Sequence, residues 1–216
     1  MRGLVLRRLI PASACLLFVW QCGGDAAAQG ARTASRRQAG RVADVLKITE
    51  MEGVGRRSLV SGPQYRTNVA RGVKPPEEWS RIQVTYDTAP EWIDELTFQY
   101  FVLTEREQDD AKAYSLFKNT VRYADIEQGR DHMSTVFLRP STVKRYGLPV
   151  AIAVEIRLKG EVIAEAAEAE IKVPEQWWRN PAVTQNEGVT TRDGYLLDRS
   201  QSPFALINID DYEVIK

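Results

Sequence analysis

The chain is almost without cysteine and histidine. Its 216 residues include two cysteines, Cys15 and Cys22, and one histidine, His132. Both cysteines fall in an N-terminal segment that reads as an export signal, so the mature protein is expected to carry no thiol. That excludes disulfide stapling, thiolate nucleophiles and cysteine metal ligands. One histidine leaves a single candidate base for a Ser-His-Asp mechanism and rules out a histidine-based zinc site. Also missing is an apolar run of the roughly 20 residues that a membrane-spanning helix needs. There is no internal repeat and no low-complexity tract. Nor is there a phosphate-cradling loop, because Gly53-Val54-Gly55-Arg56-Arg57 lacks the third glycine of a dinucleotide fingerprint.

The signal itself has three parts. Arg2, Arg7 and Arg8 form a positive start, Leu9 to Trp20 is apolar apart from Pro11 and Ser13, and Ala26-Ala27-Ala28 offers small residues to a signal peptidase. Residues 1–28 are therefore expected to be cleaved, with Gln29 as the mature N-terminus. Retention as an anchor is opposed by the shortness of the apolar run. Lipidation at Cys22 is opposed by Trp20 and Gln21, which stand where a lipobox has small residues. Cleavage removes Arg2, Arg7, Arg8 and Asp25 from 29 basic and 29 acidic residues, which leaves 26 and 28 and a net charge of −2. Residues 29–41, with Arg32, Arg36, Arg37 and Arg41, are expected to form a mobile basic leader. The remainder has no clustered Lys/Arg surface, so no nucleic-acid partner is expected.

Alternation of period two dominates the rest of the chain. In Val150 to Lys159 a large aliphatic residue occupies every second position down to Leu158, while the intervening residues pass from alanine to charge. One face is core; the other is covered at its start and wet at its end. Lys159-Gly160 predicts a tight turn into Glu161 to Glu165. Ile82 to Tyr86, Leu96 to Val102, Tyr114 to Tyr123 and Met133 to Leu138 are further strands, with a turn expected around Ala89-Pro90-Glu91. Val42 to Glu50 reads equally as a strand or a short helix. Pro140 to Gly147, with proline at its start and glycine past its end, predicts one or two helical turns crossing between sheets. Ala164 to Ala169 is expected to be an exposed strand rather than a helix. About seven strands with short connections predict a mainly β, immunoglobulin-like antiparallel sandwich over residues 42–173. Residues 174–216 are expected to dock on it as an extension, with Phe204 to Ile209 as strand.

Few residues carry chemistry. His132 has no nucleophile signature around it and reads as a strand histidine. Asp109-Asp110, after Glu105 and Glu107, has the oxygen ligands of a weak calcium site and equally the composition of a solvated turn. Asp210-Asp211 is a second acidic pair. No two carboxylates stand out as a glycosidase pair. No catalytic residue, cofactor or metal is assigned, and the protein is expected not to be an enzyme. Binding falls to the tryptophans Trp79, Trp92, Trp177 and Trp178, which can stack on sugar rings or anchor a protein interface. Adjacent strand residues face opposite ways, so Trp177 and Trp178 are not both expected in the core.

Ser58-Leu59-Val60-Ser61-Gly62-Pro63, the strand Ile82-Gln83-Val84-Thr85-Tyr86, and the tail from Gly194-Tyr195-Leu196-Leu197 through Ser202-Pro203-Phe204-Ala205 to Tyr212-Glu213 resemble the Akkermansia-type pilus-like proteins of Verrucomicrobia, encoded beside type IV pilus assembly genes. The resemblance implies an immunoglobulin-like sandwich and no catalytic residues. It also implies a protein of the periplasm or cell surface that works with pilus or envelope proteins, in reach of host mucus. Type IV pilins carry a long apolar helix directly after their leader, whereas Gln29-Gly30-Ala31-Arg32 is polar and basic, so an accessory role is expected rather than a shaft subunit. The alternative is a secreted carbohydrate-binding module using loop tryptophans on glycans such as mucin.

Overall fold

The fold is organised by one very long hairpin. The computed structural model describes residues 45–63, 76–108, 111–208 and 212–216. The expected signal, leader and mature terminus lie outside the described residues, as do Cys15, Cys22, Asp109, Asp110, Ile209, Asp210 and Asp211. Strand β1 spans Leu46–Glu52, β2 Leu59–Ser61, β3 Glu78–Gln108 and β4 Ala111–Leu138. Helix α1 spans Pro140–Tyr146, β5 Leu148–Leu158, β6 Glu161–Ala169 and the short helix α2 Pro181–Thr184. Strands β7 (Val189–Asp193), β8 (Leu196–Asp198) and β9 (Val214–Ile215) complete the order.

Left straight, the 31 residues of β3 would run about 100 Å, several times the radius of a domain this size. Strand and partner therefore bend together. Antiparallel pairing runs from Ser80↔Leu138 to Gln108↔Ala111 but breaks register between Tyr86 and Trp92. There Ala89, Pro90 and Glu91 face the single residue Gln128, between the pairs Thr88↔Gly129 and Trp92↔Glu127. Asp125 and Asp131 on β4 take positive φ, 53° and 61°. The residues expected to make a turn at Ala89-Pro90-Glu91 are thus a bulged corner inside one continuous strand. A bulge also accommodates Pro90, which has no N–H to give to a ladder.

The corner folds one nine-stranded sheet into two layers. The first half of β3 pairs with β1 and β2, and the last residues of β4 pair with β8. The second half of β3 pairs with β5, β5 with β6, and the first half of β4 with β9 and, in parallel, with β7. Between the layers lies a core of fully buried side chains that includes Ile82, Val84, Tyr86, Leu96, Phe98, Val102, Ile152, Val154 and Ile156. Tyr86 and Phe98, from the two halves of β3, meet with ring centroids 5.1 Å apart. Tyr100 Oη donates to Ser134 Oγ at 2.6 Å, and Ser134 donates to Tyr123 Oη at 3.0 Å, so a polar chain crosses the interior. Burial pushes both phenols up, Tyr123 to about 12, which keeps them neutral.

The sandwich expected from the periodicity is present, with nine strands among the described residues where about seven were expected, and with the β4–β7 pair parallel rather than antiparallel. Val42 to Glu50 resolves in favour of strand from Leu46 onward. The β5–β6 turn is Lys159-Gly160, both with positive φ (52° and 87°), as a type I′ hairpin requires. Helix α1 carries the chain from β4 to β5 and ends at Gly147, φ 87°, where any Cβ would lie 1.8 Å from the Glu105 carbonyl oxygen. The tail departs from expectation. Pro203 to Asn208 form turns rather than a strand. Buried Arg199 donates to the carbonyls of Phe204 and Ile207 and stacks on Tyr212 at 3.6 Å, so that backbone has partners without a ladder.

Candidate functional site

The four tryptophans part company in the fold. Trp177 and Trp178 are 1% and 6% exposed, and both are core. They occupy a turn rather than a strand, so alternation does not separate them; their rings meet edge to face at 6.0 Å. With Phe101, Leu103, Leu116, Ala151 and Ala153 they form a second core on the outer face of the sheet. The alanines of β5 are small because two indoles lie over them. Trp79 is half-buried, edge-on to Phe204 at 6.0 Å, while Phe204 stacks on Phe137 at 4.7 Å.

This cover changes the meaning of Glu155. Its place in β5 suggests a wet face, yet it is 2% exposed. The carboxylate accepts from Trp178 Nε1 at 2.8 Å, Arg179 Nε at 2.6 Å and an Arg157 guanidinium nitrogen at 2.6 Å. Burial raises its pKa, but the bonds from Arg179, Trp178 and Arg157 outweigh it and hold the carboxyl below its ordinary range. Arg179 also pairs with Glu165 on β6 at 2.9 Å. The group clamps the extension onto the sheet.

Trp92 is different. It leaves the bulged corner of β3 and is 55% exposed. Two open clefts of about 510 Å³ each lie against it. One is lined by Asp94, Glu95, Leu158, Lys159 and Lys216, with Lys216 Nζ donating to Glu95 at 2.6 Å and holding that carboxyl below its ordinary range. The other is lined by Asp125, Glu127, Arg130, Asp131, His132, Tyr212 and Glu213.

His132 lies at the base of the second cleft. Its Nδ1 meets Glu213 Oε1 at 2.6 Å, its Nε2 meets Thr88 Oγ1 at 3.2 Å, and its ring stacks on Tyr86 at 5.3 Å. The order Thr-His-Glu imitates a nucleophile, base and acid. The hydroxyl, however, donates to the Glu127 carbonyl at 2.7 Å and accepts from the Gly129 N–H at 2.9 Å, and Thr88 is 6% exposed. A nucleophile needs that hydrogen directed at the base. The geometry is that of a structural clamp, and Gly129 belongs to it: a Cβ there would lie 2.6 Å from Nε2. Glu213 stands 81 positions from His132, and no local pattern in the sequence joins them. Among the described residues no group of three or more acidic, histidine or cysteine side chains is placed to hold a metal ion.

An exposed indole between polar clefts can stack on a ring and direct hydrogen bonds to its edge, or anchor an apolar side chain within a polar rim. Among the described residues no helix is long and apolar enough to cross a membrane.

A family model matches residues 46–216. A crystal structure from Akkermansia muciniphila superposes with a TM-score of 0.63 at 21% identity, over 79% of this chain and 94% of that one. At that identity the likeness is one of fold. No curated protein matches the sequence.

Proposed function

The chain belongs to the family whose model spans residues 46–216, consistent with an Akkermansia-type pilus-like protein, and on that premise we propose that it is a non-enzymatic protein of the cell envelope that works by protein contact with a type IV pilus system. One observation carries the reading. Glu155, His132 and Thr88 are spent on internal hydrogen bonds, while Trp92 stands 55% exposed on a strand corner. Exposed aromatic anchors with polar surroundings favour protein partners.

Crosslinking in living cells from a photoreactive residue at Trp92 tests it. Capture of pilus assembly components is expected, and their absence from the captured set refutes the role. Export belongs to the same proposal: the envelope form starts at Gln29 without lipid, which intact mass decides, and a chain starting at acylated Cys22 overturns it.

Trp92 favours a second reading, a glycan-binding module. Saturable binding of a neutral oligosaccharide that disappears in Trp92→Ala would replace the first reading with the second.

A further inference from the structure

A cleft of about 450 Å³ opens where the end of β3, the start of β4, the end of α1 and β7 converge. Its lining brings together Arg106, Arg145, Arg192 and Lys112, with Glu187 as the one acidic side chain among the described residues. Lys112 is neutralised by Glu105 at 2.8 Å. The three arginines have no carboxylate within ion-pair distance among the described residues. Arg106 donates to the carbonyl oxygen of Arg145 at 2.8 Å, and Arg192 Nε donates to Ser115 Oγ at 3.2 Å. Arg145 and Arg192 both lie over the ring of Tyr146, at 5.1 and 4.3 Å.

Like charges gathered without a counter-charge repel, and a built cluster of them is a site for an anion. The carboxyl end of α1 accounts for one positive side chain, Arg145, through the helix dipole. Arg106 meets the same helix end through the Arg145 carbonyl, whereas Arg192 on β7 is not accounted for in this way. Tyr146 forms a wall of the cleft: it is 7% exposed, and its ring lies under both Arg145 and Arg192.

We propose that this cleft binds a sulfate or phosphate group, held by the guanidinium forks of Arg106, Arg145 and Arg192. Arginine suits such oxyanions because its planar donors bind two oxygens at once. The site is separate from Trp92, lying at the far end of β3, and it does not depend on the envelope reading.

Isothermal titration of the full chain with inorganic sulfate, inorganic phosphate, glucose 6-sulfate and glucose 6-phosphate tests it, with glucose as the neutral control. Saturable binding of at least one oxyanion and none of glucose is expected. The Arg145→Gln/Arg192→Gln pair should weaken binding by about tenfold or more, and Arg106→Gln should weaken it on its own. Arg57→Gln, whose guanidinium faces Glu168 instead, should leave it unchanged. Tighter binding of the esters assigns the site to a substituted sugar, and equal binding assigns it to the free anion; both support the proposal. No binding of any of the four, or equal loss in Arg57→Gln, overturns it. Thermal unfolding of each variant confirms that the chain compared is folded.

Discussion

Replacing Glu155 with alanine tests whether the extension is clamped to the sandwich by one buried carboxylate. The change strands the Trp178 N–H, on a residue 6% exposed, without an acceptor. A buried donor left unpaired costs about 1–3 kcal/mol. Arg157 and Arg179 are 35% and 40% exposed, so they turn to water, and their lost pairs add no more than about 1 kcal/mol. The total is about 3 kcal/mol, which at about 2–4 °C per kcal/mol lowers the melting temperature by about 6–12 °C. Tryptophan fluorescence should shift to the red as the indoles loosen, a readout that a distant destabilising change would not move in the folded state. Acid supplies the second axis. The folded carboxyl titrates below its unfolded value, so its stabilisation is complete above the unfolded pKa and is lost as pH falls through the folded one. The gap between the natural protein and Glu155→Ala should therefore be full at neutral pH and close below roughly pH 4. Equal melting at neutral pH, or a gap that widens in acid, refutes the reasoning.

Ile152→Asp places a charge at a fully buried position between the layers and should prevent cooperative folding, which circular dichroism on heating would show. Deleting residues from Ser202 onward removes Phe204 from Phe137 and Trp79 and Glu213 from His132; aggregation by light scattering is expected, and a soluble truncation with unchanged melting would sink the docking of the tail. Gly129→Ala forces a Cβ against His132 and should cost about 1–3 kcal/mol, measured by denaturant unfolding, with His132→Ala relieving part of the loss in the double variant.

Much of the sandwich is legible in local pattern. Alternation reports which side chains of a strand face the core, so Ile82, Val84, Phe98, Val102, Ile152 and Val154 could be assigned from spacing alone, and all are fully buried. Turn chemistry is equally local: Lys159-Gly160 and the Pro140–Gly147 helix follow from backbone preferences of the residues themselves. Tertiary structure decided the rest. Whether β3 stops or bends at Pro90 depends on what β4 offers across the ladder, some 40 residues away, and a bulge and a turn share one composition. Glu155 reads as solvated because nothing near it in sequence announces the Trp177-Trp178 turn that covers it. His132 acquires Glu213 across 81 positions. Pro203 to Asn208 needs no strand because Arg199, a residue with no apolar pattern, meets the carbonyls of Phe204 and Ile207. Periodicity measures a segment against its own neighbours, whereas a second layer, a buried charge and an arginine cluster arise only where distant segments meet.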